Sequence, residues 1–248
     1  MSEREEPLII AHRGASADRL ENTRDAFLEA ARQGADMVEL DVRHTADGHL
    51  IVNHDAWYRD KRWVWATPSH ERPSGVLELT EALDACRDGA DERGRAMAVN
   101  VEIKNTPGDL GDNDDPYSLS FVDEVVELLR SRLATREGAN DGGEAFVVSS
   151  FDPATVDRVR ERGGPPTAQL SIDPDWRRVI DSTVQRGHPY IHPWDPIVSE
   201  EYLEAAKHAG LVVNTWTVDD PQRIATLARW GVDGIVSNTP ALARRALG

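Results

Sequence analysis

Cysteine is nearly absent from this chain of 248 residues, which carries only Cys86. No disulfide can form within it, and nothing in its composition asks for an oxidising compartment. Cys86 follows Leu83-Asp84-Ala85 in a stretch of helical period, with no cationic pattern to activate a thiolate, and reads as packing. Long apolar runs are missing too. None approaches the ~20 residues of a membrane span. The opening Met1-Ser2-Glu3-Arg4-Glu5-Glu6 is acidic where a signal peptide has a basic start. Both features point to a cytoplasmic protein with no stable membrane association. Lysine occurs only at positions 61, 104 and 207, and the formal net charge is −16. That balance argues against a nucleic-acid partner, because phosphate backbones demand basic stripes. So many acids with so few lysines suit a salt-rich cytoplasm, although a GC-rich coding bias produces the same deficit. Linkers rich in Ser, Gly or Pro are lacking as well. One domain over residues 1–248 is therefore expected, the size of a single α/β barrel.

What is present is alternation from end to end. Apolar runs at 8–11, 37–42, 97–103, 145–149, 167–171, 189–192, 211–217 and 234–237 read as strands. Stretches of helical period at 23–33, 80–87, 119–133, 154–162, 176–186, 200–209, 221–230 and 241–247 separate them. Asp152-Pro153, Ser199 and Asp219-Asp220-Pro221 supply helix starts, and Gly34, Gly163, Gly210 and Gly231 supply stops. Eight strands each followed by a helix predict a (β/α)₈ barrel, with parallel strands explaining the near-continuous apolar runs. One departure interrupts the pattern. Thr45-Ala46-Asp47-Gly48 reads as a turn and Leu50-Ile51-Val52-Asn53 as a short extra strand returning beside the second one. It delivers His54-Asp55, and an irregular stretch rich in Trp and Arg follows at 58–73. Residues 43–78 thus form a small insertion expected at the active site. The acidic segment 108–116 reads as a solvated loop over the barrel top.

Three strings carry the chemistry: Ala11-His12-Arg13-Gly14, Glu39-Leu40-Asp41-Val42 and Glu102-Ile103-Lys104. Each closes an apolar run. Residues two apart in a strand share a face, ~6–7 Å apart along it. Glu39, Asp41, Glu102 and Lys104 therefore point one way from two strands that could be neighbours. A lone buried carboxylate costs several kcal/mol, so a divalent cation is the natural neutraliser. An all-oxygen donor set suits a hard ion, Mg²⁺ or Ca²⁺, better than zinc. His12, Arg13, Glu39, Asp41, Glu102, Lys104, Ser149, His192 and Trp216 all fall at strand ends, on the face where such barrels form their sites.

In order along the chain stand His12-Arg13-Gly14, Glu21-Asn22-Thr23, Gly34-Ala35-Asp36-Met37-Val38-Glu39-Leu40-Asp41-Val42 and Thr45 with Asp47-Gly48. His54-Asp55, Glu102-Ile103-Lys104, Ser149-Ser150-Phe151, Trp216-Thr217-Val218 and Gly231-Val232-Asp233-Gly234-Ile235-Val236 complete the set. The sequence resembles the glycerophosphodiester phosphodiesterase family over nearly its whole length. That resemblance implies hydrolysis of glycerophosphodiesters to sn-glycerol 3-phosphate and an alcohol. It implies Glu39, Asp41 and Glu102 as cation ligands, His12 and His54 as the general acid–base pair, and Arg13 and Lys104 as phosphate contacts. The charges agree with it. Three carboxylates and a dication sum to −1, and Lys104 and Arg13 bring the site to +1, a match for a monoanionic diester. Two histidines on opposite sides can serve nucleophile and leaving group.

Weaker readings attach to other residues. Trp216 is expected as a wall of the substrate pocket, and His192, before Pro193-Trp194, as part of the leaving-group side. Asn22 reads as a cap or loop brace, Glu21 as a neighbour of the metal, and His44, His49, His70, His188 and His208 as surface or structural. Two departures from the family pattern stand out. The loop after His54-Asp55 runs Ala56-Trp57-Tyr58-Arg59-Asp60-Lys61-Arg62-Trp63, which leaves leaving-group preference open. The last strand ends Ser237-Asn238-Thr239-Pro240 where Thr-Asp is commoner, a mild change. One rival is a barrel phosphodiesterase that cleaves lysophospholipids or sphingolipids to a cyclic phosphate. Trp57, Trp63 and Trp65 favour it and the net charge opposes it. Another is a non-catalytic phosphate-ester binding protein, from which a missing histidine or carboxylate would be expected; here all five are kept.

Overall fold

The computed structural model describes residues 6–89, 96–105, 118–134 and 145–248. The acidic segment 108–116 lies outside them. The chain begins with β1 (Leu8–His12), α1 (Arg24–Arg32), β2 (Met37–His44), β3 (Leu50–Val52) and α2 (Leu79–Asp88). It continues with β4 (Ala98–Ile103), α3 (Leu119–Ala134), β5 (Phe146–Ser150), α4 (Pro153–Glu161), β6 (Thr167–Ser171) and α5 (Trp176–Arg186). The last third holds β7 (Tyr190–Pro193), α6 (Glu200–His208), β8 (Val212–Thr215), α7 (Pro221–Trp230), β9 (Gly234–Ser237) and α8 (Pro240–Leu247). Among the described residues, no helix is long and apolar enough to cross a membrane.

Eight strands pair in parallel and close on themselves, because β1 lies between β9, with Ile10 opposite Val236, and β2, with Ile10 opposite Met37. This is the (β/α)₈ barrel that the alternation predicted. The extra strand is there too: β3 runs antiparallel along the outer end of β2, Val42 opposite Val52. Asp47, in the turn between them, accepts from Thr45 Oγ1 (2.6 Å) and from the backbone and hydroxyl of Ser69 (2.9 and 2.8 Å). It thereby ties the loop that follows back onto the hairpin.

Strand alternation sorts the side chains. Ile9, Val38, Leu40, Val99, Val101, Val148, Ile191 and Ile235 point outward into two large apolar clusters shared with the helices. The barrel interior holds a smaller one of Ile10, Met37, Val147, Ala168 and Val236. Further along the same faces, toward the carboxyl ends, inward positions turn polar at Glu39, Asp41, Asn100, Glu102 and Ser149, all buried. A packed floor thus lies under a charged mouth.

Helix starts follow the chemistry the sequence offered. Asp152 and Asp220 accept from the first-turn N–H groups of α4 and α7, each with a proline next, and Ser199 caps α6. Such caps contribute about 1 kcal/mol each. Thr23, rather than Asn22, caps α1. The connection from β1 to α1 turns at Gly14, whose φ of +83° is left-handed. A Cβ there would stand 2.7 Å from the backbone carbon and the Cβ of Ala26 at the start of α1. Glycine therefore lets α1 close on the strand that carries His12. Gly14→Ala should lower stability by about 2–4 kcal/mol, from φ strain and overpacking together. Urea unfolding checks this, and a loss below 0.5 kcal/mol would contradict the close approach.

Candidate active site

The parallel register of β2 and β4 sets Asp41 opposite Glu102 and Glu39 opposite Asn100. One oxygen from each of Glu39, Asp41 and Glu102 lies within 4.8 Å of the others. Asp41 is 1% exposed, Glu39 4% and Glu102 8%, so water screens this crowd poorly. Two cations reach in. Lys104, just past β4, sets Nζ 3.1 Å from Asp41 Oδ1 and donates to Glu102 Oε1. From the β1–α1 turn, the Arg13 backbone N–H donates to Glu39 Oε2 (3.0 Å). The guanidinium of Arg13 places Nε 3.3 Å from Asp41 Oδ2 and donates from Nη1 to Glu21 Oε2 (3.0 Å). Asn22 Nδ2 completes the set on Asp41 Oδ2 at 2.9 Å. Both Arg13 and Asn22 take left-handed φ angles, 55° and 56°, joined by a hydrogen bond from Asn22 N–H to the Arg13 carbonyl. Such backbone costs about 1–3 kcal/mol per non-glycine residue, so the ionic contacts must hold the turn in place.

The cluster divides its charge unevenly. Burial opposes charge on Asp41, but Lys104 and Arg13, then His54 and the Asn22 amide, hold its carboxyl well below the usual range. Glu39 goes the other way, pushed up by burial and then by the carboxylates of Asp41 and Glu102. Burial also works against the Lys104 ammonium, yet Glu102 and Asp41 keep it above the ordinary lysine value. Three carboxylates against two cations leave one negative charge too many, and the raised Glu39 carboxyl is where that excess falls. Its Oε1 is buried with no hydrogen-bond partner among the described residues. A buried orphan oxygen in an all-oxygen cluster of this size fits a hard divalent cation.

Two histidines flank the cluster. His12, at the end of β1, has Nδ1 2.7 Å from Asn238 Oδ1 and Nε2 3.9 Å from Glu39 Oε2. Burial, then Arg13, lowers its pKa below the ordinary value. His54, after β3, has Nδ1 2.8 Å from Asp55 Oδ1, and its carbonyl accepts from Arg43 Nε at 2.9 Å. Both histidines line a pocket of about 430 Å³, with Arg13, Glu39, Glu102 and Lys104 at its charged end. Trp216 and His192 also line it. Trp216 Nε1 donates to the His192 carbonyl (2.9 Å), and its ring meets Phe151 edge-on. His192 accepts at Nε2 from Asn214 Nδ2 (3.0 Å), and burial pushes it down to about 3, so it is a neutral wall at physiological pH.

A groove of about 720 Å³ meets the pocket at His54, lined by Glu21, Asn53, Asp55, Trp57 and Tyr58 among others. The inserted loop behind it carries its own small core of Ile51, Tyr58 and Val64. Only Trp57 of the loop tryptophans lines the groove; Trp63 packs edge-on against Trp57 and also against Trp65. Glu21 lies against Arg13, and Asn22 braces Asp41. Sequence reasoning did not find Asn100, whose buried Oδ1 in the pocket wall has no hydrogen-bond partner among the described residues, and treated Asn238 as a mild change. The offset of two between Asn100 and Glu102 was the available signal for the first. Nothing local marks the second.

The model of the glycerophosphoryl diester phosphodiesterase family matches residues 12–242. A glycerophosphodiester phosphodiesterase of Caldanaerobacter subterraneus is 28% identical over 245 residues, covering 94% of each chain. A probable glycerophosphodiester phosphodiesterase 1 of Mycobacterium tuberculosis is 30% identical over 261 residues, 94% of this chain and 90% of its own. A crystal structure of a putative glycerophosphoryl diester phosphodiesterase from Silicibacter pomeroyi superposes with a TM-score of 0.81 at 26% identity, covering 97% of this chain and 93% of that one. An Oleispira antarctica phosphodiesterase, solved in complex with the product sn-glycerol-3-phosphate, superposes with a TM-score of 0.80 at 20% identity, covering 98% and 97%; this likeness carries the fold.

The raised Glu39 carboxyl makes cation binding a proton exchange. Between the ordinary glutamate value and the raised one, the folded metal-free protein keeps a proton that the unfolded chain has released. Its stability should therefore fall as pH rises through that window. A cation must displace this proton, so affinity for Mg²⁺ or Ca²⁺ should rise with pH over the same range and level off above it. Calorimetric titration in buffers of different ionisation enthalpy reads the released proton. Glu102→Gln should weaken binding at least about tenfold. Affinity that ignores both pH and this substitution would exclude the cluster as the cation site.

Proposed function

Because the chain belongs to the glycerophosphoryl diester phosphodiesterase family and is an enzyme of that class, we propose that it hydrolyses soluble glycerophosphodiesters of the cytoplasm to sn-glycerol 3-phosphate and an alcohol. The reaction uses one divalent cation, Mg²⁺ or Ca²⁺, with Glu39, Asp41 and Glu102 as its ligands. One observation carries this reading: Glu39, Glu102, two fixed cations and two histidines line a single pocket at the barrel mouth, with Asp41 clustered against the two glutamates.

When bound, the cation supplies charge neutralisation and Lewis acidity for the phosphoryl oxygens. Arg13 and Lys104 hold the phosphate. Both are already fixed by carboxylates, so they lose little side-chain freedom when the diester arrives. Lys104 has three N–H donors; it donates to Glu102 and stands 3.1 Å from Asp41, and its remaining N–H groups can serve a phosphate oxygen. His12 and His54 move the protons. One takes a proton from the nucleophile, and the other returns a proton to the oxygen of the departing alcohol. His54 borders both pocket and groove, so an alcohol lying along Trp57 leaves from beside that imidazole. The neutral His192 and the Trp216 ring form an uncharged wall of the pocket.

His12→Ala and His54→Ala should each lower kcat at least ~10²-fold, the usual loss for a general acid or base, with Ca²⁺ or Mg²⁺ binding retained. An aryl leaving group needs little protonation and should restore turnover in whichever variant lost the acid. Turnover of glycerophospho-choline, -ethanolamine, -glycerol and -inositol, followed through released glycerol 3-phosphate, should stop with chelator and return with added ion. Phosphorus NMR should show the open monoester as the final product. Activity that survives exhaustive chelation, or a few-fold loss at most in both histidine variants, would overturn the mechanism. Lasting cyclic phosphate would move the chain to the lipid-cleaving reading.

A further inference from the structure

Asn238 occupies a position between His12 and a carboxylate that the hydrolytic reading does not use. Its Oδ1 lies 2.7 Å from His12 Nδ1 and accepts from Ser16 Oγ at 2.9 Å. Its Nδ2 donates to Asp219 Oδ2 at 2.6 Å, and its backbone N–H donates to Asp219 Oδ1 at 2.8 Å. Asp219 also accepts from Ser237 Oγ (2.8 Å), while its chain neighbour Asp220 is the residue that caps α7. The adjacent acids therefore have different tasks.

This arrangement can be satisfied in only one way. Carboxylate oxygens accept, so the atom facing Asp219 must be the NH₂ end of the amide. The oxygen end then faces His12, and an amide oxygen cannot donate. The bond to His12 forms only if Nδ1 carries the hydrogen. In the neutral imidazole, Nε2 is then the unprotonated nitrogen, and Nε2 is the atom on the Glu39 side of the ring. Turning the amide over would set its oxygen against a carboxylate oxygen at 2.6 Å and lose the bond to Asp219.

We propose that Asn238, oriented by Asp219, is a positioning residue that fixes His12 as its Nδ1–H tautomer and presents the Nε2 lone pair to the substrate. The carboxylate of Asp219 stands one hydrogen bond away from the ring, with a neutral amide passing its orientation on. The catalytic consequence rests on His12 being one of the two proton-transfer groups. The tautomer itself does not, and the two can fail separately.

The test begins with the unaltered protein. Long-range proton–nitrogen correlation on ¹⁵N-histidine-labelled protein, at a pH where imidazoles are neutral and with the His12 signal identified by its loss in His12→Gln, should show Nδ1 protonated and Nε2 bare. In Asn238→Leu the signal should shift toward the Nε2–H form. Its kcat should fall about 10–100-fold with KM changed less than about twofold, the scale seen when a partner orienting a site histidine is lost. The exchange variant, Asn238→Asp together with Asp219→Asn, keeps an acceptor toward His12 and a donor behind it. It should return kcat to within a few-fold of the starting protein, which a packing defect at this position would not allow. An Nε2–H tautomer in the unaltered protein overturns the proposal, as does an Asn238→Leu protein with tautomer and kcat unchanged. If Asn238→Leu does not fold, the spectrum of the unaltered protein and the exchange variant decide. Full turnover in His12→Ala with the tautomer as described would reject the role of His12 in catalysis and leave the positioning intact.

Discussion

Everything at the barrel mouth depends on the crowding of carboxylates across one strand pair. Parallel pairing puts Asp41 opposite Glu102, with Glu39 two residues back on the same face, all three largely out of water. Left alone, that arrangement would push the strands apart, since unscreened like charges at this distance interact strongly in a low dielectric. The neighbours are arranged to prevent it. Lys104 extends the strand carrying Glu102, and Arg13 reaches across from a turn whose backbone is left-handed. Asn22 joins Arg13 on Asp41 Oδ2. The β1–α1 connection, Gly14 included, is built to bring Arg13 and Asn22 to Asp41. The ionic contacts to Asp41 offset both the strain in that turn and the repulsion in the strands.

Much of this was legible in order. Periodicity alone gave eight strands, eight helices and the short return strand, because parallel barrel strands are apolar on both faces and helices are not. The offset of two within Glu39–Asp41 and Glu102–Lys104 gave a shared face before any pairing was known. What stayed hidden depends on contacts between distant segments. Asn22 reads as a cap or a loop brace because it precedes a helix, but Thr23 caps α1 and Asn22 turns inward to Asp41, a partner the local sequence does not name. Asp219 and Asp220 are indistinguishable as a pair, yet one starts α7 and the other holds Asn238. The tryptophans of the inserted loop favour the lipid-cleaving rival in the sequence, and their mutual packing, Trp63 between Trp57 and Trp65, is not legible there.

The insertion also divides the work spatially. The barrel supplies charge from strand ends, where pleat and register fix each atom. The loop supplies shape from a segment with its own small apolar cluster and its own tie to Asp47. His54 stands where the two meet, its carbonyl held by Arg43 from β2. Changes within the loop can therefore remodel the groove around Trp57 while the carboxylates remain undisturbed.

The bond between His12 and Asn238 joins residues 226 positions apart, one ending the first strand and the other following the last. During synthesis on the ribosome, the three carboxylates and both histidines emerge within the first half of the chain, but nothing can hold the His12 ring in place until β9 is out and paired with β1. A nascent barrel open at that seam exposes a loosely held imidazole beside repelling acids. Closing the seam brings the Asn238 amide to the ring in the same event that pairs the last strand with the first.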